Sequence, residues 1–197
     1  KGETRLTSNE NPFGPPPQAM TAIREGFAGA SRYPSNTQPN MSDLTTALAD
    51  RLGCETSNIV LGAGSGELLK RVAQAYVSPE RHLVTASPTY LQTSGVARYL
   101  RAEVKAISLT NDGKLDLDAM ADASRGAGLV FFCNPNNPTG TFIGEQDLRR
   151  LAEGLPEDVI LVLDGAYAEF AEGYDGGAAL VDEFPNVVMT RTFSKLY

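Results

Sequence analysis

Three side chains that can do chemistry stand at or just beyond apolar runs near the end of this sequence. Asp164 ends the run VILVLD (159–164) and Tyr167 follows it by three residues, while Lys195 follows the run VVMTR (187–191). A carboxylate at the end of a buried run is costly unless a cation or a hydrogen-bond donor faces it. A lysine amine becomes a nucleophile when its surroundings lower its pKa. The pattern is typical of a site that binds a carbonyl compound through an amine, although a helix-capping aspartate and a surface lysine also fit each residue taken alone.

A glycine-rich segment, GAGSGELL (62–69), follows another apolar run and leads into a helical pattern. Its glycines allow a ligand to approach the backbone, and a helix is predicted to begin at about Ser65. The N–H groups at a helix N-terminus and the helix dipole together favour anions. No G-K-[ST] follows, and the third glycine comes one residue too early for G-x-G-x-x-G. The segment predicts either a phosphate site around Gly64 and Ser65 or a glycine turn without a ligand.

Two further polar segments follow apolar runs. SPTY (87–90) places an aromatic ring, that of Tyr90, where it can stack on a flat ligand or pack in a core. NPNNPTG (134–140) combines two prolines with two successive asparagines, which predicts a fixed, turn-rich loop. The amide of Asn137 can donate to a ligand oxygen there, although a purely structural turn has the same composition.

Strands and helices must position these residues, and the sequence predicts both in alternation from about residue 58. Several of the apolar runs lack polar positions altogether, as strands covered on both faces do. The predicted strands are 58–62, 82–86, 103–109, 129–133, 159–164 and 187–191. The predicted helices between them are 67–76, 88–100, 115–123 and 145–153. This alternation predicts a mostly parallel, layered α/β sheet with right-handed crossovers.

Ligands of open α/β sheets bind beyond the carboxyl ends of the strands, so the polar residues should gather along one edge. Together they offer an anion cradle, an aromatic ring, an amide, a carboxylate, a phenol and an amine. A phosphorylated pyridine aldehyde needs all of these. Its phosphate would lie on the helix N-terminus and its ring against Tyr90. Asp164 would face the protonated ring nitrogen, Asn137 and Tyr167 the ring oxygen, and Lys195 would form the imine.

Composition restricts the remaining possibilities. The chain has 197 residues, a net charge of −7 and no stretch dense in Lys or Arg, which argues against nucleic acid as a partner. The single histidine, His82, cannot supply a histidine cluster, so no metal site is expected. Two cysteines outside any C-x-x-C pattern favour a reducing cytoplasm. No apolar run reaches the length of a membrane span.

The first part of the chain is less regular. SNENPFGPPP (8–17) is too rich in proline for a helix or strand, and RYPSNTQPN (32–40) is a second irregular stretch. A helix is predicted at 17–28. Another is predicted from Ser42, a suitable N-cap, to Leu52.

The motifs, in their order and spacing, resemble those of the fold-type I aminotransferases that use pyridoxal 5'-phosphate, and most closely the branch acting on histidinol phosphate. The segments that carry the resemblance are SNENPFGP, RYP, GAGSGELL, SPTY, CNPNNPTG, LDGAYAEF and TRTFSK. The resemblance implies a three-layer α/β/α sheet, an N-terminal arm and small-domain segment at 1–30, and a cofactor-binding large domain at 31–197. That family continues well past its lysine, so the chain is expected to be a fragment.

The resemblance also implies roles for individual residues. Lys195 would bond to the cofactor and shuttle the proton, Asp164 would keep the pyridine nitrogen protonated, and Tyr167 would bind the ring oxygen with Asn137. Tyr90 would stack on the ring. The phosphate would be bound by Gly64, Ser65, Ser194 and, more weakly, Thr192, together with Tyr33 from the neighbouring subunit of a homodimer. Asn9 and Asn11 would lie in an arm that closes over the substrate.

Two positions depart from the family pattern. Gly165 stands where D-E-A-Y has a glutamate, and Gly66 stands where the phosphate loop usually has an acidic residue. Gly165 adds backbone freedom beside the key aspartate. The implied reaction is transamination between histidinol phosphate and 2-oxoglutarate. Aromatic amino acid aminotransferases, a threonine-phosphate decarboxylase and a non-catalytic binding protein of the same fold are the alternatives.

Overall fold

The computed structural model describes residues 7–32 and 39–197, with the side chains of 39–43 excepted. The chain divides into two compact units. One comprises the described part of Lys1–Leu61 together with Phe193–Tyr197, and the other comprises Gly62–Thr192. The domain boundary near residue 30 that the resemblance implies stays a prediction.

The first unit is built from helices. Helix α1 spans Pro17–Gly26 and continues into a 3-10 turn, Phe27–Gly29, whereas helix α2 spans Pro39–Leu52. The predicted N-cap at Ser42 is wrong because the helix already begins at Pro39, and a proline in the first turn loses no intrahelical bond.

The strand predicted at 58–62 is also wrong. A 3-10 turn covers Thr56–Asn58 and the residues after it belong to no strand. Ile59 has extended backbone angles, but Val60 is 68% exposed, and no described strand pairs with either residue. An apolar extended segment becomes a strand only when a ladder partner satisfies its backbone groups.

The second unit contains a sheet of five strands, all parallel, in the order β2-β1-β3-β4-β5. The strands are β1 His82–Ser87, β2 Val104–Ser108, β3 Ala127–Cys133, β4 Ile160–Asp164 and β5 Val187–Thr190. The predicted parallel α/β sheet is therefore confirmed. Every residue of the central strand β3 is buried, as a strand covered on both faces must be.

Helices cover both faces of this sheet. They are α3 Ser65–Tyr76, α4 Gln92–Tyr99, α5 Leu117–Ala123, α6 Glu145–Gly154 and α7 Ala178–Glu183. Successive residues of β3 alternate between the two cores: Val130 and Phe132 pack with α5, α6 and α7, whereas Leu129 and Phe131 pack with α3 and α4. The three-layer α/β/α arrangement follows from this alternation.

Some helix limits differ from those that the sequence predicts. Helix α4 begins at Gln92 rather than at residue 88, so SPTY lies in the loop that precedes it. Helix α7 has no counterpart in the sequence analysis, because its six residues follow a glycine-rich loop. The side chain of Asp175 accepts hydrogen bonds from Gly177 and Ala179 at the start of α7 (2.7 and 2.8 Å) and thereby caps it.

Helix α3 approaches β3 so closely that one position must be glycine. A Cβ atom at Gly128 would lie 1.8 Å from the carbonyl oxygen of Tyr76, the last residue of α3. Because that oxygen belongs to the backbone, it cannot move aside as a flexible side chain would. In the part of the chain that the structure describes, no helix is long and apolar enough to cross a bilayer.

Candidate active site

The carboxyl ends of three neighbouring strands form a row at one edge of the sheet. Cys133 of β3 is in register with Asp164 of β4, which is in register with Thr190 of β5. Asp164 is only 3% exposed. Its Oδ1 accepts hydrogen bonds from the Thr190 hydroxyl (2.9 Å) and from the backbone N–H of Ala166 (3.2 Å). These donors stabilise the negative charge of a carboxylate that burial would otherwise penalise.

Cys133 is a part of this edge that the sequence analysis does not identify as a site residue. Its thiol lies 3.5 Å from Oδ2 of Asp164 and is a weak donor to it. Burial, followed by the nearby charge of Asp164, raises the pKa of the Cys133 thiol from 9.0 to about 12. The thiol therefore stays protonated and inert at neutral pH. Only the register of β3 against β4 places it beside the aspartate.

The raised pKa predicts how stability depends on pH. The thiol ionises more readily in the unfolded chain, so its contribution is complete below about pH 9 and is lost as pH rises towards 12. We expect the difference in unfolding free energy between the wild type and Cys133→Ala to shrink by up to about 1.4 kcal/mol per pH unit in that window. Urea unfolding at pH 7 to 10.5 under reducing conditions measures it. Unfolding free energies of the wild type and Cys133→Ala that differ by the same amount at every pH would contradict the raised pKa of the Cys133 thiol.

A cavity of about 600 Å³ lies between the segment that follows β1 and the loop that follows β3, lined by Thr89, Tyr90, Leu91, Gln92, Asn137 and Pro138. Two of the predicted ligand-binding residues, Tyr90 and Asn137, thus line one cavity. Partial burial, then the neighbouring acidic groups of Asp164, Cys133 and Tyr167, raise the pKa of the Tyr90 phenol. The Tyr90 phenol is thus within electrostatic reach of Asp164 and Tyr167.

Two asparagines that the sequence analysis did not select hold the loop that carries Asn137. The fully buried side chain of Asn134 exchanges two hydrogen bonds with the backbone of Ile143 (3.0 and 2.9 Å). Asn136 donates to the carbonyl of Pro88 (3.2 Å) and accepts from the Thr89 hydroxyl (2.7 Å). The loop is therefore fixed to the segment that bears Tyr90, which keeps both walls of the cavity in place.

The glycine-rich turn leads into α3 as predicted, with Ser65 as the first helical residue. Gly64 precedes it with φ of +83°, a conformation that side chains disfavour. The carboxylate of Glu67 accepts a hydrogen bond from Ala63 N–H (2.6 Å) and pairs with Arg71. These two contacts, the backbone bond first, lower the pKa of Glu67. Gly64, just before the first turn of α3, is exposed, and Ser65, the first residue of that turn, is half-buried.

The backbone at Gly165 is held in place by its neighbours. Its N–H donates to the carbonyl of Thr190 (2.9 Å), and an added Cβ would lie 3.1 Å from that oxygen and 3.2 Å from Cδ of Arg191. Arg191 also forms a 2.6 Å ion pair with Glu169. The freedom expected of a glycine beside Asp164 is therefore restricted by β5 and the Arg191 side chain.

The remaining predicted residues belong to the first unit, except for Thr192, which ends the second unit and is half-buried. The Lys195 ammonium donates to the carbonyl of Ser8 (3.0 Å), and the Asn11 amide donates to the carbonyl of Leu196 (2.9 Å). The arm with Asn11 thus contacts the lysine segment. Asn9 is exposed with φ of +51°, and Ser194 is exposed.

Tyr33 lies outside the described residues, so its interface role stays a prediction. The roles assigned to Lys195, Ser194, Asn9, Asn11 and Thr192 also stay predictions, as does the meeting of Lys195 with Asp164.

Known proteins resemble the chain along its whole length. The model of the family "Aminotransferase class I and II" matches residues 1–197. Histidinol-phosphate aminotransferases from Ruegeria pomeroyi and Cereibacter sphaeroides are 46% and 45% identical over 196 residues, which is 98% of this chain and 53% of each relative. The crystal structure of histidinol-phosphate aminotransferase from Sinorhizobium meliloti, solved with pyridoxal-5'-phosphate, matches this chain with a TM-score of 0.86 at 33% identity. The match covers 95% of this chain and 51% of the Sinorhizobium meliloti chain.

The chain spans about half the length of the curated relatives it matches. The family is dependent on pyridoxal 5'-phosphate, as the motifs implied. Because the family model covers every residue, the chain belongs to the class I and II aminotransferases.

Proposed function

We propose that the protein to which these residues belong transfers an amino group between histidinol phosphate and 2-oxoglutarate with the help of pyridoxal 5'-phosphate. The observation that carries the proposal is the buried carboxylate of Asp164, held by Thr190 and Ala166 near the cavity that Tyr90 and Asn137 line. A charged group buried beside a cavity is expensive for stability and is typical of a functional site.

The residues of the second unit fit this cofactor in size and chemistry. A cavity of about 600 Å³ is within the range that small-molecule ligands occupy. Tyr90 offers a flat face for a ring, and Asn137 offers an amide donor for a ring oxygen. Asp164 offers the negative charge that a protonated pyridine nitrogen requires, and the N-terminus of α3 offers N–H groups for a phosphate.

Each side chain would then have one task. When bound, the cofactor supplies an electron sink that stabilises negative charge next to the reacting carbon. Asp164 holds a proton on the ring nitrogen by its charge, and Tyr167 and Asn137 bind the ring oxygen. Lys195 would hold the cofactor through its amine, and with that amine free it would move the proton at the substrate carbon as general base and acid. Gly64, Ser65, Ser194 and Thr192 bind the phosphate.

The relatives named above support histidinol phosphate as the amino donor. Aromatic amino acids and phosphothreonine are the competitors to test. We further propose that the protein is a cytoplasmic homodimer in which Tyr33 reaches the phosphate of the neighbouring subunit, and that Asn9 and Asn11 close over the substrate.

A donor panel tests the proposal directly. Protein made from the complete coding sequence is loaded with pyridoxal 5'-phosphate and offered histidinol phosphate, phenylalanine, tyrosine or phosphothreonine with 2-oxoglutarate. Glutamate formation with the highest kcat/KM for histidinol phosphate supports the proposal. A preference for an aromatic amino acid, or carbon dioxide release from phosphothreonine, would show that histidinol phosphate is not the substrate. Cofactor binding without reaction with any donor supports a non-catalytic binding protein.

A further inference from the structure

The side-chain amide of Gln92 lies between the ring of Tyr90 and the first turn of α3. Its Oε1 accepts a hydrogen bond from the Tyr90 hydroxyl (2.8 Å), and its Nε2 donates to the backbone carbonyl of Gly66 (2.8 Å). Both bonds have good lengths and use the two ends of one planar amide. Gln92 also lines the 600 Å³ cavity and is the first residue of α4. One side chain thus connects two parts of the candidate site.

The residue at position 66 makes room for this amide. A Cβ at Gly66 would lie 2.8 Å from Oε1, 3.2 Å from Nε2 and 3.4 Å from Cδ of Gln92. Real Cβ atoms are not found this close to an oxygen, so any side chain at position 66 would displace the amide. The observed position of the Gln92 amide therefore requires a residue without a Cβ at position 66, one of the two departures from the family pattern.

We propose that Gln92 is a positioning residue that fixes the Tyr90 ring relative to the N-terminus of α3, and so sets the separation between the ring-stacking surface and the phosphate site. The inference rests on the proposed function, because the separation matters only to a ligand that carries both a flat ring and a phosphate. Gln92 acts through Tyr90 and Gly66.

Without its hydrogen bond to Gln92, the Tyr90 ring would be held less rigidly. Tyr90 is 38% exposed and precedes α4, so packing alone leaves its ring partly free. A fixed ring needs less ordering when a ligand binds, which is how preorganised sites gain affinity. Leucine at position 92 keeps the size of the side chain and loses both hydrogen bonds. Without these bonds the ligand must order the Tyr90 ring, and ordering one side chain costs about 0.5–1.5 kcal/mol, so affinity for the cofactor should fall by roughly twofold to tenfold.

The experiment uses protein made from the complete coding sequence and four variants: Gln92→Leu, Tyr90→Phe, the double variant, and Gln74→Leu. Gln74 is an exposed residue of α3, so it controls for the same substitution outside the site. The measurements are the dissociation constant of pyridoxal 5'-phosphate for the cofactor-free protein and the visible circular dichroism of the bound cofactor. Thermal unfolding of the cofactor-free protein is the structural readout.

We expect Gln92→Leu to weaken cofactor binding by roughly twofold to tenfold and to change the visible circular dichroism, together with a modest fall in the unfolding temperature from loss of the two hydrogen bonds. Tyr90→Phe should have no further effect in the Gln92→Leu background, because the bond it removes is already absent. Further variants test the contact with Gly66. Gly66→Ala should reproduce the spectral change in the wild-type background and should have no effect in the Gln92→Ala background, where no amide remains to be displaced.

Three results would overturn the inference. Wild-type affinity and dichroism in Gln92→Leu would show that the amide positions nothing. A lower unfolding temperature with unchanged dichroism would show a purely structural residue. A wild-type protein that does not bind pyridoxal 5'-phosphate would overturn the proposed function and this inference together, whereas the first two results leave the proposed function intact.

Discussion

Replacing Lys195 by alanine should abolish transamination, with a fall in kcat of at least about 10⁴-fold in protein made from the complete coding sequence. In the proposed function, the substitution removes both the amine that would bond to the cofactor and the base that would move the substrate proton. Lys195→Arg should be about as inactive, because a guanidinium keeps the charge but does not release its proton at accessible pH. Steady-state glutamate formation measures the loss. Lys70→Ala, at an exposed position of α3, is the matched control and should keep full activity.

Covalent mapping tests the same residue without relying on turnover. Borohydride reduction of the cofactor-loaded protein fixes the cofactor to the lysine that holds it, and peptide mass mapping identifies that lysine. We expect the label on Lys195 in the wild type and no labelled lysine in Lys195→Ala. A label on any other lysine, or measurable turnover by Lys195→Ala, would show that this amine is not the reacting group.

The sheet and its functional edge can be predicted from sequence because two simple rules apply to them. Apolar runs of strand length separated by helical patterns imply parallel strands, and parallel strands put their carboxyl ends on one edge. Asp164, Tyr167 and Asn137 follow such runs directly, so their positions in the chain imply their positions in the fold. The segment 58–62 has the same apolar composition, but it lacks a ladder partner among the described strands. Whether a segment finds a neighbouring strand to pair with depends on the tertiary fold and not on the composition of that segment.

The supporting contacts could not be predicted in this way. Gln92 belongs to no motif and lies 26 positions from Gly66, so only the packing of α4 against α3 reveals their hydrogen bond. Cys133 reads as one more apolar residue of a buried strand until its register places it beside Asp164. A sequence motif identifies groups that contact a ligand, whereas the groups that hold them follow from tertiary structure.

The second large effect is expected from Asp164→Asn, which should lower kcat by roughly 10²- to 10³-fold while the protein stays folded. Asparagine has nearly the same volume, and its amide oxygen can still accept from Thr190 and Ala166. Asparagine lacks the negative charge that, in the proposed function, would keep the ring nitrogen of the cofactor protonated. Removing a buried charge does not destabilise a fold when its hydrogen bonds are retained. We therefore expect unfolding of the cofactor-free variant by urea to match or exceed the wild type in stability.

Thr190→Val distinguishes the charge of Asp164 from the hydrogen bonds that hold it. The variant removes the 2.9 Å hydroxyl donor to Oδ1 and leaves the carboxylate in place. Because Ala166 N–H remains, we expect the loss to lie near about 1.5 kcal/mol, the low end for a hydrogen bond to a charged group, which lowers kcat about tenfold. A Thr190→Val variant as inactive as Asp164→Asn would mean that geometry rather than charge governs the site. Full activity in Asp164→Asn would mean that the buried carboxylate has a structural role, because no step of the reaction would then depend on its charge.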